Sequence, residues 1–206
     1  MALTMVHLLV ADRWAKAHPR YAQSPEFFLG AISPDAIHVR DHDDKSRKDM
    51  FHLHNWQSPH PEAVLEYWRA HRTPFDVGYG VHVLTDGQWV PRFKSLLPGL
   101  IRPDGKLNPD IYYNDTFVTD FRLYRIEPRL EQILRLIEAA RVPEDHPLLT
   151  RREFDEWRGI ILEAYRGKCP KNGPVRFIDV EYVRAFVEDC IDMIETAFLD
   201  AGLAGE

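Results

Sequence analysis

The sequence predicts an all-α fold. Three observations carry that reading. Apolar residues recur at spacings of three and four, prolines repeatedly stand where a helix would open, and only residues 175–180 hint at a strand. The 206 residues fit one domain, 1–206, at about 150 residues per domain. No repeat, low-complexity tract or composition break divides them.

The elements follow in order. Residues 3–17 place Val6, Leu9, Val10, Trp14 and Ala17 on one helical face. Ser24 caps a short helix that opens on Pro25 and runs through Ile32, and Ser33-Pro34-Asp35 breaks it. The polar run 39–47 reads as a loop, and Ser46 caps a helix through Trp56. Pro61 and Pro74 open the next two helices, EAVLEYWRAHR and FDVGYGVHVLTDGQW. A glycine-bearing loop spans 98–109. Helices over 109–125, 128–141, 151–166 and 179–199 complete a bundle of seven or eight.

At 45% apolar and 28% charged, the chain can bury a sizeable core and is not a disordered polymer. A net charge of −6 argues against binding a nucleic-acid polymer, though not against a small anion. Two cysteines, Cys169 and Cys190, fit neither a disulfide framework nor a zinc ribbon and read as reduced thiols. No targeting signal or transmembrane span is visible, so a cytoplasmic location is expected. Nine of the ten histidines precede residue 83.

His82 and Asp86 stand four apart on an otherwise apolar helix, so they project from one face. Either they hydrogen-bond to tie helices together, or they are two metal ligands on a rigid wall. His7, Asp35 and His52 offer the same choice. Each lies among apolar residues, as a satisfied core histidine, a turn aspartate or a ligand. His52 and His54 point apart, so at most one of them faces a shared site. Together the five residues supply three imidazoles and two carboxylates from four elements. That set suits zinc, manganese, iron, nickel or another divalent metal.

Four motifs in order, MVHLLVA, FFLGAISPDAIH, RKDMFHLH and GYGVHVLTDGQW, resemble the zinc-dependent phospholipase C superfamily and its small bacterial cytosolic relatives. The resemblance covers about the first 90 residues. It implies a phospholipase C/P1 nuclease-like all-α fold with one or two ions, zinc first, on His7, Asp35, His52, His82 and Asp86. It prefers His52 over His54 and makes Asp86 the bridging ligand. His7 and Asp86 would hold one ion, while Asp35, His52, His82 and Asp86 hold the other. After Asp86 only His146 remains, so no complete trinuclear site is expected.

The implied activity is hydrolysis of a small phosphoester by metal-activated water, with Asp86 and Asp35 as the catalytic carboxylates. A one-metal alternative uses Asp35 or Asp120 as general base. Two further readings stand beside it. One is an HD-type phosphohydrolase built on His42-Asp43, and the other a non-catalytic helical module with a structural metal. Lys48, with Arg47, is either a phosphate-binding candidate or part of a solvated charge run. Asp120 shares a predicted face with Tyr113, Phe117, Phe121 and Tyr124, where it meets either the metal shell and substrate or an arginine. The residues after about 107 carry no readable motif and are expected to wall the substrate site.

Overall fold

The computed structural model describes residues 2–40, 47–56, 58, 60–167 and 172–203. These are all-helical: α1 (Thr4–Ala15), α2 (Pro19–Ala22), α3 (Pro25–Gly30), α4 (Ile37–Arg40), α5 (Lys48–Phe51), α6 (Glu62–Ala70), α7 (Pro74–Leu96), α8 (Pro109–Ile126), α9 (Pro128–Ala139), α10 (Arg151–Arg166) and α11 (Val180–Asp200). Short 3₁₀ turns cover Ser33–Ala36 and Pro98–Leu100. Among the described residues no helix is long and apolar enough to cross a membrane.

Several expectations change. Residues 175–180 form no strand; the one β-type pairing described is an isolated antiparallel bridge between Ile101 and Leu107. The helix expected to reach Trp56 ends at Phe51, because Leu53 and His54 take left-handed φ values of 55° and 54°. Ser46, its expected cap, lies outside the described residues, as do Cys169 and the His42-Asp43 pair. The helix from Pro74 runs on through Pro91 to Leu96. Burial of Trp89, Val90 and Phe93 outweighs the one hydrogen bond that Pro91 cannot donate. The four-residue helices α2 and α4 were too short for any periodicity to reveal.

Helix α7 is the axis of the fold. Its start is fixed by a reciprocal capping box: Thr73 Oγ1 accepts from Asp76 N–H, and the Asp76 carboxylate accepts from Thr73 N–H. From there it packs against α1, α3, α6 and α11. The tightest crossing is with α3, and two glycines make it possible. A Cβ on Gly30 would lie 2.1 Å from the Phe75 carbonyl oxygen, and one on Gly78 would lie 2.0 Å from the Phe27 carbonyl oxygen. Backbone therefore meets backbone, and the turn after α3 is delivered to the middle of α7.

Gly78→Ala should therefore destabilise the protein by about 3 kcal/mol or more, since neither carbonyl can yield. Gly159→Ala in α10, where a Cβ meets nothing within 4 Å, should instead stabilise it by roughly 0.5–1 kcal/mol. Thermal unfolding of the two variants checks this; similar melting temperatures would refute the crossing as a steric limit.

Candidate metal centre

The crossing of α3 and α7 brings five buried side chains together. Asp35 sits in the 3₁₀ turn beyond α3, where Ser33 Oγ donates to the Leu29 carbonyl and steadies the turn. His82 and Asp86 come one turn apart from α7. His7 comes from the middle of α1, and His52 caps the C-terminus of α5. The end of α5 is tied to α7 by Tyr79, whose hydroxyl donates to the Phe51 carbonyl at 2.6 Å.

The rings of His7 and His82 stack at 3.6 Å between centroids and 7° between planes, and His52 meets His82 edge-on. Asp86 spans two rings. Its Oδ1 lies 3.5 Å from His7 Nε2 and its Oδ2 3.3 Å from His52 Nε2. Asp35 approaches the same inward nitrogens, with Oδ1 3.6 Å from His52 Nε2 and Oδ2 3.9 Å from His82 Nε2. His7, His52 and His82 are 0–1% exposed, so whatever satisfies these atoms must lie inside the protein.

The hydrogen bonds fix which nitrogens face inward. His82 Nδ1 donates to the Ala31 carbonyl at 2.8 Å, and His52 Nδ1 donates to the Lys48 carbonyl at 3.0 Å. A carbonyl only accepts, so each Nδ1 carries the proton and each Nε2 presents a lone pair. Both Nε2 atoms, both nitrogens of His7 and Asp86 Oδ2 have no hydrogen-bond partner among the described residues. Buried polar atoms are rarely left so. A backbone carbonyl holding the far nitrogen of an imidazole is the usual outer support of a metal-ligating histidine. The donor set fits a divalent cation: His7, Asp35 and His82 form one ligand-spaced triple, and His52, His82 and Asp86 another. His82, rather than Asp86, belongs to both.

Electrostatics agrees with ligand roles for both carboxylates. Burial pushes the Asp35 pKa up, but the Lys48 ammonium, His82 and His52 together outweigh it and hold it below the usual range. For Asp86, burial is likewise overcome by the neighbouring His52 and His7 rings, and its pKa lies well below the usual range. Burial, with His7 alongside, holds His82 well below the ordinary histidine value, which keeps its lone pair free of a proton. Asp35 is therefore ionised across the neutral range.

Lys48 is no solvated charge. It is 2% exposed, and its Nζ donates to Asp35 Oδ1 at 2.9 Å. His54 points away from the cluster, exposed and paired with Asp49. His146 lies in another part of the core, accepting from the N–H groups of Leu148 and Leu149.

The expectations for Asp120 are corrected. Among the described residues no arginine pairs with it. Its Oδ1 accepts from Met5 N–H at 3.1 Å and its Oδ2 from the Tyr165 hydroxyl, so it pins α1 to α8 and α10. It points inward with Thr116 and Leu123, while Tyr113 and Phe117 turn to solvent. Burial raises its pKa to about 7, against the opposing hydrogen bonds from Tyr165 and Met5. Tyr165 gave no signal in the sequence, being one aromatic among several on an amphipathic helix.

Two predictions follow from this geometry. His52→Ala should lower the metal content of purified protein, while His54→Ala should leave it within about a fifth of wild type, read by elemental analysis; the reverse would place the wrong ring in the site. Between the ordinary value of 3.8 and about 7, folded Asp120 keeps a proton that the unfolded chain has released. Stability of the metal-free protein should therefore fall as pH rises through that window, by a few kcal/mol at most. Asp120→Asn, neutral throughout, should flatten the fall in urea titrations; an unchanged slope would contradict it.

No family model, curated protein or solved structure matches the chain, so any functional reading stands on the chemistry of the cluster itself.

Proposed function

We propose that this chain is a metal-dependent hydrolase of small phosphoesters, with a phospholipase C/P1 nuclease-like arrangement of helices. One observation carries the reading. Three imidazoles and two ionised carboxylates converge in a buried site with their inward nitrogens unpartnered. The order of the four N-terminal motifs supports it.

A divalent ion there, zinc first and manganese, iron or nickel otherwise, would polarise a phosphoryl oxygen and bring a water's pKa to about 7. The protein's own groups do the rest. His7, His52, His82, Asp35 and Asp86 hold position, and the carbonyls of Ala31 and Lys48 set the ring orientations. Asp86 presents an oxygen to each side of the cluster. The Lys48 ammonium neutralises part of the carboxylate charge and stands where a phosphate oxygen would be drawn. The surrounding core excludes bulk water and strengthens each of these interactions.

The complete burial of His52 and His82 favours one second reading, a helical module with a structural ion and no turnover. A panel of phosphomonoesters and phosphodiesters, run with zinc, manganese, nickel and iron, separates the two. The hydrolase reading expects metal-dependent turnover abolished by chelation. Metal-loaded protein inert to the whole panel overturns it.

Asp86→Asn should reduce kcat at least 100-fold while shifting the melting temperature little, because shape is kept and charge is lost. His7→Ala should lower bound metal and turnover together. Full hydrolysis by the His7→Ala protein would remove His7 from the site.

A further inference from the structure

A cavity of about 410 Å³ opens beside the cluster. That lies within the range of sites that enclose a small ligand, roughly 300–1,000 Å³. Its inner wall touches both carboxylates through single residues. Lys48, which donates to Asp35, lines it, as does His38, whose Nε2 is 3.8 Å from the same Asp35 oxygen. Leu3 lines it too and follows Ala2, whose N–H donates to Asp86 Oδ1 at 2.8 Å.

Two features set this cavity apart from the rest of an acidic chain. Lys94 and Lys106 join Lys48 in its wall, and no acidic side chain among the described residues lines it. Among those residues, neither Lys94 nor Lys106 pairs with a carboxylate. Four aromatic side chains, Trp56, Phe93, Tyr112 and Tyr113, also line it. The Lys48 ammonium lies 5.6 Å from the centre of the Trp56 ring. The Trp56 indole Nε1–H is buried and lacks a hydrogen-bond partner among the described residues, so it has a donor to give an incoming acceptor. By contrast, the larger depression lined by Asp12, Arg13, Arg129, Arg184 and Glu188 has cations already paired with acids, including Arg13 with Glu188 and Arg129 with Asp12.

We infer that this cavity selects phosphate esters of alcohols carrying a flat aromatic group. The phosphate is directed to Lys48 and the cluster, and the ring to Trp56 and Tyr113. The choice of substrate then falls to Trp56 beyond α5, the end of α7, the loop before α8 and the start of α8. Leu107, Tyr112, Tyr113 and Thr116 bring the second half of the chain to this wall, while among the described residues none of α9 to α11 lines it. No sequence pattern announced Trp56, Lys94 or Lys106, since their proximity is purely tertiary.

The inference rests on the phosphoesterase reading but is tested without turnover. Full-length, metal-loaded protein is titrated calorimetrically with 2-phenylethylphosphonate and with ethylphosphonate, whose carbon–phosphorus bonds it would not hydrolyse. The expected result is at least tenfold tighter binding of the aryl probe. Trp56→Ala should reduce that preference below threefold. Tyr113→Ala, an exposed position that the fold tolerates, should reduce it at least twofold. The Lys94→Ala/Lys106→Ala double variant should weaken both probes by a similar factor. Equal binding of the two probes by wild type, or a preference that survives both aromatic substitutions, overturns the inference. If simple phosphoesters are hydrolysed without aryl preference, the cavity assignment fails and the hydrolase reading stands. If the aryl probe binds as described and no ester is hydrolysed, the reverse holds.

Discussion

The backbone contact between α3 and α7 is the constraint on which everything else rests. Because Gly30 and Gly78 carry no side chain, the two helices meet carbonyl to Cα, and the turn beyond α3 arrives beside His82. The Ala31 carbonyl then lies close enough to take the proton of His82 Nδ1, and Asp35, four residues on, faces the same ring. A helix separation of an ordinary 8–10 Å would leave both partners out of reach. The protein thus converts a packing tolerance into the orientation of an imidazole.

Charge inside the cluster is balanced within the protein as far as it can be. Two ionised carboxylates converge on the Nε2 atoms of His52 and His82, and only Lys48 among the described neighbours brings a full positive charge to Asp35. Asp86 is stabilised instead by the Ala2 N–H, which donates to it, and by the neighbouring His52 and His7 rings. The remaining field is negative and directed at the unpartnered Nε2 atoms, which is the electrostatic setting that draws in a cation. Asp120 lies outside this balance. A backbone N–H and a phenol donate to its oxygens, yet burial outweighs them, so its proton is retained to higher pH.

How much of this was legible in the sequence follows from the range over which each signal acts. Proline and cap residues act within a turn, so the starts at Pro25, Pro74, Pro109, Pro128 and Arg151 coincide with the helices found. The end of the helix after Lys48 was not readable, because nothing local forces Leu53 and His54 into left-handed backbone. His82 and Asp86 share a face by spacing alone, whereas the approach of His7, Asp35 and His52 depended on motif order and not on any periodicity. Lys48 looked like a surface charge because Arg47 and Asp49 flank it; burial against Asp35 is a property of the assembled fold. Asp120 was misassigned for a related reason. A helical wheel identifies which residues share a face, but the stripe chosen mixed the inward carboxylate with two outward aromatics.

The near-complete enclosure of the three imidazoles also governs exchange, as distinct from affinity. An ion held by rings that solvent does not touch leaves only when neighbouring helices part, so its residence time is tied to local opening of the fold. On the α1 side the His7 ring is stacked directly on His82. Were an ion bound there, loading would be easiest while the chain is still folding and α1 has not yet docked. The metal such a centre took would then be decided by the supply present at that moment.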